Sequence, residues 1–100
     1  MLVRVEYRVP AERQDEFREV MRRLGRSRRR TGAERWSLFQ DASDPERFVE
    51  SYVVRSWEEH MRQHYERLTK LDEAIEQRAR SLVVDGHEPH VEHLLFAYDR

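Results

Sequence analysis

From Leu2 to Val9 apolar and charged positions trade places without a break: Val3, Val5, Tyr7 and Val9 fall on one side, Leu2, Arg4, Glu6 and Arg8 on the other. A repeat of two predicts a strand with unlike faces. Pro10 ends it, because proline donates no ladder hydrogen bond and suits a first helical turn. The period then lengthens. Phe17, Val20, Met21 and Leu24 stand at i, i+3, i+4 and i+7, an apolar stripe on an otherwise charged helix. Gly25 weakens that helix, and Gly32 is placed to close it. A second strand is predicted from about Arg35 to Asp41, with Trp36 and Leu38 on one face and Phe39 on the other. The stretch from Asp41 to Pro45 reads as a turn, since aspartate side chains bond nearby amides and proline fixes φ. A third strand, Phe48 to Arg55, completes a hairpin with the second.

Ser56 with Glu59 three residues on predicts a capping box, each side chain satisfying an orphan amide. The helix it opens carries Trp57, Met61, Tyr65, Leu68, Leu71 and Ile75 on its apolar face and runs to about Arg80, with Thr69 a candidate bend. Asp85 to Pro89 is a loop. Val91 to Tyr98 is the last strand, where the run Leu94-Leu95-Phe96 predicts burial on both faces. The order β-α-β-β-α-β is the ferredoxin-like split βαβ arrangement, an α+β fold with a four-stranded antiparallel sheet and both helices on one face. The other sheet face carries leucine and aromatic side chains among its charges. A second copy of the sheet is its simplest cover, so the expectation is a homodimer through the sheet face.

Composition sharpens this picture. At 100 residues the chain predicts one domain, residues 1–100, with a core marginal for a monomer. Charged residues reach 39% and lean towards disorder, but ten aromatics predict a packed core. The net charge of −1 selects no nucleic acid or acidic partner. With no cysteine there is no disulfide framework, iron–sulfur cluster or thiol nucleophile. The apolar runs are too short to span a membrane, and the alternating start is neither a signal nor a transit peptide. A cytoplasmic location is expected.

Histidine carries most of the candidate chemistry. His60 and His64 stand four apart on one helix face, but Met61-Arg62-Gln63 between them lacks the general-base glutamate of a metalloprotease. Both rings border the apolar stripe. Either they bond to backbone or water, or one lines a small-molecule pocket as an acid–base group or haem ligand. His87, His90 and His93 recur every third residue, a spacing that diverges on a strand; no metal is expected, and His93 is predicted buried and bonded beside Val91 and Leu95. The arginine run from Arg22 to Arg30 contains no acid and could meet phosphate, nucleic acid or an anionic membrane. No aromatic interleaves with it to stack bases, so specific nucleic-acid recognition is not expected. The plainer reading is a helix C-terminus whose cations suit the dipole, the rest solvated or paired to Asp41, Asp44 and Glu46. The rings Trp36, Tyr52, Trp57, Tyr7 and Phe48 either fill a core or frame an apolar pocket. No nucleophile elbow or glycine-rich phosphate loop is present.

Local strings point further. Val5 to Arg13, Arg26 to Ala33, Trp36 to Asp41, Asp44 to Glu50, Ser56 to His64 and Val91 to Leu95 resemble the soluble C-terminal domain of some bacterial major-facilitator efflux transporters, here free-standing. That module in turn resembles the antibiotic-biosynthesis-monooxygenase superfamily, at the level of fold plus the Ser56-Trp57 helix start and His64. The resemblance implies a dimeric α+β barrel with one pocket per subunit between sheet and helices. It implies cofactor-independent oxygenation for some members, with Trp57 and His64 the positions that carry over; no cofactor is expected. Asparagine, part of the haem-degrading pattern, is missing from the chain. Two readings stay open. One is a monooxygenase-like enzyme on an apolar phenol, with His64 or His60 as base and Trp36, Tyr52, Trp57, Tyr7 and His93 lining the site. The other is a non-catalytic ligand-binding or regulatory module, with membrane contact only if attached to a transporter.

Overall fold

The computed structural model describes residues 1–98, apart from the side chains of Gln63 and His64. Strand β1 spans Leu2–Arg8; a 3-10 turn, Ala11–Arg13, leads into helix α1, Gln14–Arg30. The hairpin is β2, Glu34–Gln40, and β3, Arg47–Val53. Helix α2, Trp57–Arg62, passes through a π turn, Gln63–Arg67, before helix α3, Lys70–Ser81, and strand β4, His90–Leu94. The sheet order is β2-β3-β1-β4, and every neighbouring pair is antiparallel. This is the ferredoxin-like α+β fold that the alternation and the helical stripe predict.

Period two decides what faces the helices. Val3, Val5 and Tyr7 of β1 and Phe48, Glu50 and Tyr52 of β3 are buried beneath them. Phe17 of α1 packs between Tyr7 and Phe48, with ring centroids 5.2 and 5.1 Å away. Val20, Met21 and Leu24 continue that stripe. In β2 the register slips by one residue between Glu34 and Ser37, and Arg35 takes the left-handed φ of 53°. That extra residue rephases the strand and turns Trp36 inward. The indole lies over Gly25, where a Cβ would come within 2.8 Å of the ring. Gly25 is thus the space into which Trp36 packs. Gly32, at φ +124°, closes α1 in a conformation that L-residues avoid.

Four expectations change. The second helix does not run on to Arg80: Leu68 is extended, with ψ 133°, and Thr69 starts a fresh helix through a complete capping box with Asp72. Its predicted apolar face is therefore not one buried stripe, and Trp57, Tyr65 and Leu71 are exposed. At Ser56 only half of the box forms. Its hydroxyl accepts from the Glu59 amide at 3.1 Å, while the Glu59 carboxylate turns to Arg67. The last strand stops at Leu94, and Leu95, Phe96 and Tyr98 beyond it are exposed. β4 is an edge strand paired only to β1, so no other strand among the described residues covers its outer side. The arginine run finds other acids. Arg28 pairs with Glu50 and Glu76, and Arg30 with Asp72, whereas Asp41, Asp44 and Glu46 serve Arg47 and Arg8.

Candidate functional site

The sheet register lays out the floor of a cavity. Tyr52 of β3, Val3 of β1 and His93 of β4 form one row across the helix-facing side, and Glu50, Val5 and Val91 the next. Two strand spacings set the Tyr52 and His93 backbones about 10 Å apart. Above His93 stands α2. The Trp57 ring meets His93 edge-on at 5.2 Å, the His60 ring lies 5.0 Å from His93, and Trp57 and His60 are 5.7 Å apart. Met61 and Tyr65 extend this wall, while Arg28 of α1 and Glu76 and Arg80 of α3 close the side towards β3. The enclosed space is about 370 Å³ and opens to solvent on one side. That volume suits a small organic molecule.

Beneath it is a buried polar network. The Glu50 carboxylate is wholly buried and accepts from Tyr7 Oη at 2.8 Å, Trp36 Nε1 at 2.8 Å and Arg28 Nε at 3.1 Å. Burial and the neighbouring Glu50 carboxylate push the Tyr7 phenol well above its ordinary range. Burial opposes the charge on Arg28, but Glu50, Tyr52 and Tyr7 together outweigh it and the guanidinium is held more firmly protonated than usual. Tyr52, 2% exposed, has the Arg28 guanidinium 5.2 Å from its ring centroid. Burial pushes the Tyr52 phenol up to about 12. Among the described residues its hydroxyl makes no hydrogen bond, so a donor and acceptor is left for whatever occupies the cavity.

The residues singled out from sequence divide accordingly. Tyr7, Tyr52, Trp57, His60 and His93 line the one cavity. Trp36 does not, because the bulge aims its indole at Gly25 and Glu50 holds its N–H. His93 is exposed towards the cavity mouth, against the buried and bonded setting expected, since β4 is an edge and α2 covers it only with rings. His90 faces the other side of the sheet opposite Glu6. The His64 side chain lies outside the described residues. Among those described, no group of three or more histidine or acidic side chains is placed to hold a metal ion.

Comparison with known proteins agrees with this architecture. The family model described as "Transmembrane secretion effector" matches residues 1–100. The chain belongs to that family. Solved structures resembling this family member include an antibiotic biosynthesis monooxygenase (19% identity, 99% of this chain and 100% of that one, TM-score 0.77). A putative antibiotic biosynthesis monooxygenase from Nitrosomonas europaea is similar at 18% identity, over 98% of this chain and 92% of that one, TM-score 0.72. A cofactor-independent oxygenase from Streptomyces nogalater is similar at 15% identity, over 99% and 96% of the two chains, TM-score 0.75. At such identities the likeness is one of fold. No curated protein matches the chain. No helix among the described residues is long and apolar enough to cross a membrane.

Proposed function

We propose that the protein is a homodimeric small-molecule-binding barrel whose cavity takes a planar aromatic ligand carrying a hydroxyl or carbonyl group. The observation that carries this reading is the row Tyr52–Val3–His93. It offers a flat apolar floor about 10 Å long, the span of two or three fused rings, with an unengaged hydroxyl at one end. The Trp57, His60 and His93 rings at the other end stack on aromatic faces. Tyr52 donates to the ligand oxygen, and the nearby Arg28 favours partial negative charge there. Dimerisation uses the opposite sheet face, where Leu2, Phe39 and Val49 line a shallow depression and Phe39 is 56% exposed. Calorimetric titration with 2-naphthol and anthrone tests the binding. Saturable binding that Tyr52→Phe weakens about tenfold is expected, one hydrogen bond's worth; absence of binding by either compound defeats the reading.

The His60–His93 pair at the mouth favours a second, catalytic reading. A neutral imidazole there takes a proton from a ring-flanked methylene, the carbanion adds dioxygen, and loss of water leaves a carbonyl. His64, the other candidate base from the sequence, belongs to this reading too. Oxygen uptake with anthrone that His60→Ala slows by about 10²–10⁴ is its expected signature. Binding without oxygen uptake leaves a ligand-binding or regulatory module.

A further inference from the structure

The helical layer carries a second surface that the cavity does not use. From Met21 to Ala33 the chain has no acidic residue. Arg23, Arg26 and Arg30 recur along one face of α1 and border a notch of about 370 Å³ against α3. A second notch of about 190 Å³ continues it to Arg78. Leu71 and Ile75 lie in both, and Leu71 is 70% exposed in the middle of the arginines. The one acid bordering the groove is Asp72, and its charge is taken up internally. Ser27 Oγ donates to it at 2.7 Å, the Thr69 amide at 2.8 Å, and Arg30 pairs with it. Arg78 pairs with Glu16 at the far end, and Glu19 on the flank pairs with Arg22 at 2.6 Å and only distantly, at 4.0 Å, with Arg23, whose side chain stays 60% exposed.

We propose that this α1–α3 face docks on an anionic membrane surface. Arg23 and Arg26 meet lipid phosphates, and Leu71 enters the boundary between headgroups and acyl chains. The charge complementarity is one-sided, because the groove has arginines to offer and its acid is engaged. Nucleic acid fits less well: the groove has no aromatic side chain to stack bases, and an exposed leucine gains nothing against a phosphate backbone. A second copy fits less well still, since a two-fold contact through this face sets arginine against arginine. A membrane interface takes both the cations and the leucine. The proposal is independent of the ligand cavity, which lies on the other side of α3.

Co-sedimentation with vesicles of phosphatidylcholine, with and without phosphatidylglycerol, tests it. Binding is expected only with the anionic lipid, falling steeply as salt is raised. Each arginine at the surface contributes about fivefold, so Arg23→Ala with Arg26→Ala is expected to lower the partition coefficient about 25-fold. Leu71→Ser is expected to weaken binding at low salt while melting like the parent. Equal affinity for neutral and anionic vesicles, or unchanged binding by the double variant, overturns the proposal. So does anionic binding that Leu71→Ser leaves intact and duplex DNA competes away, which would mark a plain phosphate-binding groove.

Discussion

Glu50 gathers Tyr7, Trp36 and Arg28 at the base of the cavity, and each of those donors comes from a different element. Removing its charge takes the nearest counter-charge from the Arg28 guanidinium, whose side chain is only 11% exposed and whose other acid, Glu76, lies 3.8 Å away. Glu50→Gln is therefore expected to cost about 3–5 kcal/mol in denaturant unfolding, the range for a buried pair that loses one partner. The two raised phenols give a pH dependence of definite sign. Tyr7 and Tyr52 hold their protons in the folded state above the unfolded value of about 10. Their contribution to stability is whole below about pH 10 and is lost as pH rises towards the folded value, about 12 for Tyr52. Over that interval each phenol lowers stability by roughly 1.4 kcal/mol per pH unit. Denaturation at stepped alkaline pH is expected to show that slope, shallower in Tyr52→Phe. Neither member of the buried pair stood out in the chain, where Arg28 reads as one of a solvated arginine run, although the positions carry a signal. Glu50 sits between Phe48 and Tyr52 at an inward position of a strand, and Arg28 follows Leu24 by one helical turn. What the pattern does not supply is their meeting, which depends on how α1 lies over β3.

Among the elements, α1 shows how packing overrides local propensity. By propensity Gly25→Ala gains about 1 kcal/mol in a helix. In this fold the new methyl meets the Trp36 ring within 2.8–2.9 Å, and that ring is held by Glu50 and cannot swing away. A net loss of up to about 2 kcal/mol in unfolding free energy is expected, the overpacking cost of about 1–3 kcal/mol less the propensity gain. The strands and α1 follow from periodicity because each presents one continuous face to one layer. The second helical segment does not. Its apolar spacing from Trp57 to Ile75 runs across the break at Leu68, while Thr69 and Asp72 carry the capping signal that restarts the helix. β4 misleads for another reason. An apolar run at a sheet edge looks the same in the chain whether the protomer or a partner covers it.

At the scale of the whole molecule, one group of uncovered apolar side chains lies on the outer sheet face and at the end of β4: Phe39, Leu94, Leu95 and Phe96 are all exposed. A second copy placed sheet to sheet removes them from water. Light scattering at micromolar concentration is expected to give a dimer, and Phe39→Asp a monomer with an unchanged circular dichroism spectrum. The resemblance in local strings reached both the family and the fold. The cavity was less visible, since a ring that frames space and a ring that fills it have the same letter. The proposed function depends above all on that space being a ligand site. Val91 lines it from the edge strand and is 41% exposed, so Val91→Trp puts an indole into the cavity without disturbing the core. Calorimetric titration of parent and variant with the same planar phenol is the most direct test. Saturable binding by the parent is expected, with a loss of at least about tenfold in Val91→Trp, a displaced ring contact. Equal binding by the two proteins would contradict it.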